Sequence, residues 1–259
     1  MALVFVGCTL YGALLRGSLM SLPLFTTKHL SLLAYSIYGL TSYLIWCLGG
    51  AVNFLFDEKD RSSANWKVVS TLLLIGGVLL HFAYMGKIEL LQEEAYYWNY
   101  SVHPAASYLD HPPAVAWLIR LGTFLFGTNE FGVRFGALIC WGVTGSFAYR
   151  LSKEFFDRRT GFLSMLLVSL LPIYFGTGLF STPDAPLICS WAALLYYLYI
   201  ALLKGKGSAW YGVGFWLGMG LLSKYTIVFL GPGILGFMLI DKTSRQWFFK
   251  SQPWLDRFF

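Results

Sequence analysis

The stretch VVSTLLLIGGVLLHFAYMG (residues 68–86) decides the fold class, because it contains no Asp, Glu, Lys or Arg and is long enough to cross a bilayer. Soon after it comes LLQEEAYYWNYS (residues 90–101), in which two adjacent carboxylates, Glu93 and Glu94, precede a cluster of aromatic residues. A very hydrophobic chain thus places paired acids where a membrane-spanning segment ends. This position suggests chemistry at the membrane surface.

Similar apolar stretches recur along the chain. Of its 259 residues, 57% are hydrophobic and 12% are charged, which is about half the charged fraction of a soluble domain. The stretches are apolar nearly all round, whereas helices that cover a soluble core have a polar face. The sequence therefore predicts an all-α, polytopic bundle of transmembrane helices in the lipid bilayer. The predicted spans are residues 3–25, 31–56, 68–86, 131–151, 161–180 and 185–203, followed by a split pair at 211–223 and 225–240.

The charged residues between the spans predict the orientation of the bundle. Most Lys and Arg residues fall in the joints after the second, fourth and sixth spans and in the C-terminal tail. Because cytoplasmic joints carry the excess of Lys and Arg, we expect residues 87–130 to face the periplasm. The chain is thus predicted to be an integral, multi-pass protein of the inner (plasma) membrane, with an active site on the outer side. The membrane explains the basic joints, so no nucleic-acid partner is predicted.

Two parts are predicted within the membrane domain. Residues 1–66 form a two-span hairpin of unknown role, and residues 67–259 carry the candidate chemistry. The outer loop of residues 87–130 is long for a loop without structure or function. Its segments EEAYYWNYSV and HPPAVAWLIRLGTFLFG predict two short helices at the membrane interface. The N terminus lacks the basic region of a cleaved signal peptide, so we expect the first span to be retained.

Ionisable residues predicted to reach the outer membrane surface form a candidate site. They are Glu93 and Glu94, Asp110 and His111 in LDHPP, Arg134 within a span, Asp184 in FSTPDAPL, and Lys224 between two short apolar segments. Simpler explanations exist: adjacent acids suit a helix N terminus, and Asp184 lies where Ser181 or Thr182 would cap a helix. A charge inside a span, in contrast, usually faces a polar cavity or a charged partner.

These groups together suit a transfer from a phosphate ester. A carboxylate takes the proton from an attacking hydroxyl, while cations stabilise the departing phosphate. A phosphate attached to a long lipid would arrive from the bilayer with its headgroup at this depth. The sequence contains no GxxxxGK[ST], HExxH or GxSxG motif, so nucleotide-binding, zinc-protease and serine-hydrolase functions lack support.

Four motifs, in this order, resemble the bacterial branch of glycosyltransferase family 39. They are EEAYYWNYSVHPAASYLDHPPAVAWLIRLG (93–122), VRFGALI (133–139), STPDAPLICSWAALLYYLY (181–199) and LLSKYTIVFLGPGIL (221–235). This family of protein O-mannosyltransferases and lipid A aminoarabinose transferases has the GT-C membrane fold, and the resemblance covers about residues 66–259. It implies an inverting transfer of a sugar, of hexosyl or mannosyl type, from a polyprenyl-phosphate donor. The acceptor would be a glycan, a lipid or a protein on the outer side.

The resemblance also implies roles for single residues. The acidic pair that contains the catalytic carboxylate falls on Glu93 and Glu94, with the base open between the two, and a further catalytic acid falls on Asp184. Donor-phosphate or substrate contacts are expected from Tyr97, Asp110, His111, Arg134 and Lys224. For Arg134 a structural role remains equally open. No cofactor is certain, although Glu94 and Asp110 could bind a divalent metal ion.

The chain departs from the family in two respects. Residues 1–66 precede the usual first core helix, and the sequence stops where relatives continue with further helices, so a truncated product is expected. Two other functions are weighed against the transferase. A non-catalytic protein that binds or moves polyprenyl lipids would need no paired acids, and a transporter would be supported by inverted repeats, which the sequence does not show.

Overall fold

The computed structural model of the protein describes residues 65–250. These residues belong to one structural unit, which begins at Ser63. The N-terminal hairpin predicted for residues 1–66, with the spans 3–25 and 31–56, lies outside the described residues. Only residues 65 and 66 of it are described. The division of the chain into residues 1–66 and 67–259 stays a prediction.

The described residues form α-helices and two short 3-10 helices, without a β-strand among them. The α-helices are α1 (Asn65–Met85), α2 (Gln92–Val102), α3 (Ala114–Phe126), α4 (Glu130–Phe155), α5 (Arg158–Leu170), α6 (Pro172–Leu179), α7 (Asp184–Leu202), α8 (Ala209–Leu221) and α9 (Leu230–Ile240). The 3-10 helices are Tyr225–Phe229 and Ser244–Phe249. Within residues 65–250, the prediction of an all-α bundle is confirmed.

Three described helices are long and apolar enough to cross a membrane: α1 from Trp66, α4 and α7. A fourth crossing is available if α5 and α6 count as one span, since the two helices meet at an angle of 68°. The predicted single span of residues 161–180 is therefore bent. Pro172 begins α6, and Leu171 before it has an extended backbone (ψ 124°), because the proline ring disfavours the helical conformation of the preceding residue.

A buried histidine lies against this bent span. His81 of α1 is fully buried, and its Nε2 lies 3.0 Å from the carbonyl oxygen of Phe175 in α6. Its ring also packs against the rings of Phe175 and Trp141. Gly178 passes so close that a Cβ atom there would lie 2.7 Å from His81 Nε2. These contacts fix α6 against α1 and α4.

The predicted split pair is also present, with α8 before the break and the first 3-10 helix and α9 after it. The break falls at Leu222–Lys224, where Lys224 has an extended backbone (φ −160°, ψ 134°). The carbonyl of Leu222 accepts a hydrogen bond from the backbone N–H of Ala114 at 2.9 Å. Neither the Leu222 carbonyl nor the Ala114 N–H has a partner within its own helix. The N terminus of α3 therefore donates a hydrogen bond to a carbonyl group at the break.

Helices of alternating direction bring their charged ends together. The C terminus of α1, the N termini of α4 and α7 and the break after α8 meet at one end, which we call the acidic end because Glu94, Asp184 and their neighbours lie there. At the other, basic end, Tyr199 Oη donates to the carbonyl of Glu154 at 3.1 Å, and Lys204 Nζ lies 3.6 Å from Glu154 Oε2. The basic end thus also contains an acid, Glu154, and the orientation predicted from the charged joints stays a prediction.

The two short helices predicted in the outer loop are α2 and α3. One face of α3 is buried through Val115 and Ile119, while Trp117, Leu121 and Phe124 are exposed. The exposed apolar face suits a helix at the membrane interface. On the buried side α3 lies so close to α4 that a Cβ atom on Gly122 would approach Gly132 O to 2.1 Å.

Candidate active site

The two adjacent acids of α2 have different environments. Leu91 precedes the helix with an extended backbone and has no side-chain acceptor of its own. Glu94, at the third helical position, accepts the Leu91 N–H at 3.0 Å and so caps the helix N terminus. Glu94 is fully buried, whereas Glu93 is exposed. Because consecutive side chains leave a helix in different directions, the carboxylate of Glu94 points inward and that of Glu93 points outward.

Arg134, near the start of α4, is the partner of Glu94. Its Nε donates to Glu94 Oε1 at 2.9 Å, and its Nη2 donates to Glu94 Oε2 at 2.7 Å. This two-pronged geometry is the strongest arrangement of an arginine and a carboxylate. Both side chains are 0% exposed. Such a pair is stable inside a protein only when its remaining hydrogen-bonding groups are also satisfied.

The other N–H groups of Arg134 are satisfied by backbone carbonyls. Nη1 donates to Met85 O and Ile88 O, each at 2.6 Å, and Nη2 donates to Glu89 O at 2.9 Å. All five N–H donors of the guanidinium group are thereby used. Arg134 connects α4 to the end of α1 and to the turn before α2. Of the two roles considered for it, the contacts correspond to the structural one.

The connection between α6 and α7 joins the same cluster through Ser181. Its backbone N–H donates to Glu94 Oε1 at 3.0 Å, and its hydroxyl donates to Val133 O at 2.7 Å. Neither Ser181 nor Thr182 caps α7, whose N-cap position is Pro183 without a side-chain hydrogen bond. The sequence interpretation of Ser181 as a cap is therefore wrong. Its hydroxyl is drawn instead to a carbonyl of α4.

Asp184 and Lys224 form a second, more exposed ion pair. Lys224 Nζ lies 2.9 Å from Asp184 Oδ1, and the side chains are 32% and 48% exposed, respectively. Asp184 lies in the first turn of α7, where a negative charge is favoured by the helix dipole. Lys224 extends from the break after α8. The ammonium group keeps two further N–H donors for another ligand.

Tyr97 is a buried phenol close to several of the acids. Burial of its phenol raises the pKa of Tyr97 to about 12, and the negative charges of Glu93, Asp110 and Asp184 contribute to the shift. The ring packs on Val115, Ile119 and Val133. The ring of His111 lies 5.8 Å away, measured between centroids. Three acids from separate segments therefore act on the same phenol.

Asp110 is held by Tyr96, one of the aromatic residues that follow Glu93 and Glu94 in the sequence. The hydroxyl of Tyr96 donates to Asp110 Oδ2 and is also hydrogen bonded to the hydroxyl of Tyr100. These bonds to the neutral phenol raise the pKa of Tyr96, with the Asp110 bond as the main cause. The spacing of Tyr96 and Tyr100, one helical turn apart beside an acidic loop, is the signal that could have identified the pair.

The residues proposed as metal ligands are engaged elsewhere. Both oxygens of Glu94 bind Arg134 and backbone amides, and Asp110 accepts from Tyr96. Among residues 65–250, no group of three or more His, Cys, Asp and Glu side chains could hold a metal ion. These contacts do not fit a metal at Glu94 and Asp110. The suggested metal site stays a prediction, and no step below depends on it.

Comparisons with known proteins match the C-terminal part of the chain. The family model described as dolichyl-phosphate-mannose-protein mannosyltransferase matches residues 110–259. No solved structure matches significantly.

Bacterial relatives match about half of the chain. An undecaprenyl phosphate-alpha-4-amino-4-deoxy-L-arabinose arabinosyl transferase of Pseudomonas savastanoi pv. phaseolicola is 34% identical over 133 residues, which are 49% of this chain and 25% of the relative. Proteins with the same name from Pseudomonas aeruginosa (strain UCBPP-PA14) and Serratia proteamaculans are 31% and 29% identical, over 54% and 53% of this chain and 27% and 26% of their own lengths. The matched part of the chain thus spans about a quarter of the length of these curated relatives.

Proposed function

Because the chain belongs to the dolichyl-phosphate-mannose-protein mannosyltransferase family, we propose that it is a membrane glycosyltransferase that uses a polyprenyl-phosphate sugar as its donor. The match confirms the family resemblance drawn from the four motifs. The names of the relatives support the lipid-linked donor, since they transfer a sugar from undecaprenyl phosphate. A hexosyl or mannosyl donor and the aminoarabinosyl donor of the relatives are the two donor classes to compare.

The general base in this proposal is Glu93. A base must reach the proton of the attacking hydroxyl, at about 2.6–3.2 Å between heavy atoms. Glu93 is exposed, whereas Glu94 is fully buried and its oxygens are used by Arg134, Leu91 and Ser181. This difference between adjacent glutamates is the observation that carries the assignment. Glu94 is then a positioning residue.

Lys224 and His111 are proposed to bind the donor phosphate. Glu93 takes the proton of the acceptor hydroxyl as the hydroxyl oxygen forms a bond to the anomeric carbon. The bond from that carbon to the phosphate oxygen breaks on the opposite face, which inverts the configuration. The phosphate leaves with the electron pair, and a nearby cation stabilises its charge. Asp184 supports this step by holding the ammonium group of Lys224 in place.

The acidic end is proposed to face the periplasm in an inner (plasma) membrane. The basic residues of the opposite end, among them Lys153 and Lys204, favour the cytoplasm. A donor whose lipid tail stays in the bilayer would then present its phosphate at the level of Lys224. This placement accounts for acids gathered where spanning helices end.

The test is sugar release from a purified polyprenyl-phosphate donor by the Glu93→Gln and Glu94→Gln variants. We expect Glu93→Gln to lower the transfer rate by about 10²–10⁴-fold, as the loss of a general base does, without changing thermal unfolding. Glu94→Gln is expected to lower thermal stability as well as the rate. The matched control is Glu130→Gln, which replaces an acid in the first turn of α4. It should leave the transfer rate and the thermal stability unchanged.

A normal transfer rate in Glu93→Gln would show that the base is assigned wrongly. Donor binding without sugar release by the unmodified protein would instead favour the non-catalytic lipid-binding alternative. The donor classes are compared in the same assay by their relative transfer rates.

A further inference from the structure

A group of tyrosines, one exposed and two half-buried, lies beside the proposed base. Tyr100 and Tyr108 are stacked, with ring centroids 4.1 Å apart and an interplanar angle of 6°, and Tyr96 packs on Tyr100 at 4.7 Å. The loop residue Tyr108 is fixed because its hydroxyl donates to Tyr100 O at 2.8 Å and accepts the Ala105 N–H at 3.0 Å. We call Tyr96, Tyr100 and Tyr108 the tyrosine platform.

Within the platform, Tyr100 packs against the core cluster that contains Tyr97, Val115 and Ile119, whereas Tyr96 does not belong to this cluster. Tyr96 remains 41% exposed, although its hydroxyl is held by Asp110 and Tyr100. A rigid aromatic ring that is already held in place loses little conformational entropy when a ligand binds to it.

The edge of the platform lines an open groove that also contains the base. The groove has a volume of about 670 Å³ and is lined by Leu91, Gln92, Glu93 and Tyr96. Glu93 and Tyr96 are three residues apart on α2, so their side chains lie on the same helix face. A ligand in this groove would meet an aromatic ring, an amide and a carboxylate.

These groups match the surface of a sugar ring. One face of a pyranose consists of C–H groups, which pack on an aromatic face, and its edge consists of hydroxyls that donate and accept hydrogen bonds. Gln92 supplies both donors and acceptors, and Glu93 supplies acceptors. A few polar groups around an apolar contact surface are typical of small-molecule sites.

The position of the groove identifies its ligand as the acceptor rather than the donor phosphate. Whatever lies beside Glu93 carries the hydroxyl that the base deprotonates. Among the described residues that line the groove there is no Lys, Arg or His, and the carboxylate of Glu93 repels a phosphate. Lys224, the proposed phosphate contact, is paired with Asp184 instead.

We infer that the acceptor is a saccharide, which packs its C–H face on Tyr96 and presents a hydroxyl to Glu93. This inference rests on the proposed function and narrows the acceptor from a glycan, lipid or protein to a carbohydrate.

Binding is tested directly by saturation-transfer NMR on the full chain in lipid nanodiscs, with methyl α-glucopyranoside and methyl α-mannopyranoside as probes. Tyr96→Leu is expected to weaken binding about tenfold, as the loss of one aromatic contact does. Tyr96→Phe, which keeps the ring, should bind nearly as well as the unmodified protein. Tyr211→Leu, which removes a 58% exposed tyrosine of α8 at the basic end, is the matched control and should not change binding.

Equal saturation transfer in the unmodified protein and in Tyr96→Leu would overturn the inference. Saturation transfer to a Ser/Thr-containing peptide, without saturation transfer to the glycosides, would overturn it in favour of a protein acceptor. Thermal unfolding of each variant establishes that it is folded. Tyr96→Phe removes the hydrogen bond between Tyr96 and Asp110 and Asp110→Asn weakens it, but both keep the ring, so they separate the effect of losing the bond from that of losing the ring.

The inference and the proposed function fail in different measurements, because the NMR experiment needs no turnover. Absence of sugar release from the donor contradicts the proposed function, while glycoside binding still decides whether the platform recognises saccharides. In a turnover assay with a saccharide acceptor, Tyr96→Leu should raise the acceptor KM about tenfold, whereas Glu93→Gln should lower kcat.

Discussion

At the scale of single residues, burial separates the environments of two neighbouring glutamates. Glu94 and Arg134 are fully buried and satisfy one another's charge, together with carbonyls from the end of α1 and the turn that follows. A buried charge that loses its partner is strongly unfavourable, since water does not replace the lost hydrogen bonds. The pair therefore positions the segment on which Glu93 lies.

We predict that Arg134→Met and Glu94→Gln each lower the free energy of unfolding by about 3–5 kcal/mol, because each leaves an uncompensated partner in the interior. The measurement is reversible unfolding in mixed detergent micelles. Arg150→Met removes an exposed arginine from the same helix and is the control, with little expected change.

A double-mutant cycle tests whether the two residues act as a pair. In the Arg134→Met background, Glu94→Gln should lower the free energy of unfolding clearly less than it does alone, since its charged partner is already absent. Additive effects of the two substitutions would contradict a direct ion pair.

At the scale of helices, close approach of α3 and α4 holds the outer loop in place. Gly122 allows the contact because a Cβ atom there would lie 2.1 Å from Gly132 O and 3.1 Å from Phe135 Cβ. The same helix α3 satisfies the break after α8 through Ala114 and packs on Tyr97 of α2 through Val115. A displacement of α3 would therefore reach both Lys224 and the acids of α2.

We predict that Gly122→Ala destabilises the protein by about 1–3 kcal/mol, as overpacking against backbone does. It should also lower the transfer rate, since α3 contacts both parts of the site. Gly142→Ala is the matched control, because a Cβ atom on Gly142 of α4 would have no atom of residues 65–250 within 4 Å. Thermal unfolding should show Gly142→Ala unchanged or slightly more stable, given the higher helix propensity of Ala. Equal effects of the two substitutions would exclude the close approach as the cause.

At the scale of the whole molecule, charge separation between the two ends determines the expected orientation. Leu109, 97% exposed, lies in the loop of the acidic end, and Lys206 is exposed in the joint between α7 and α8 at the basic end. The positive-inside rule assigns these two positions to opposite sides of the membrane.

We predict that a membrane-impermeant thiol reagent labels Leu109→Cys in intact spheroplasts and labels Lys206→Cys only after permeabilisation. The described native cysteines, Cys140 and Cys189, are buried, and Cys8 and Cys47 are replaced by Ser in this experiment. Labelling of both positions from the same side would contradict the proposed orientation and with it the periplasmic site.

Several features of the molecule could be predicted from the sequence because they depend on local composition. The runs that form α1, α4 and α7 are long and mostly apolar, and the break at Leu222–Lys224 is marked by a charged residue between two short apolar segments. Hydropathy alone does not predict the bend before Pro172, which depends on the restriction that the proline places on the backbone of Leu171. The Lys and Arg residues of alternate joints predict the orientation of the bundle.

Local composition is therefore enough to predict a helical membrane bundle. The packing of the helices decides which of the two glutamates is exposed and that Arg134 is buried. The physical reason is that these choices depend on contacts between segments far apart in the chain: Glu94 meets Arg134 across 40 positions and Ser181 across 87. Local pattern places an ionisable residue at a membrane surface, but only the packing of distant helices decides whether it meets water or a buried partner.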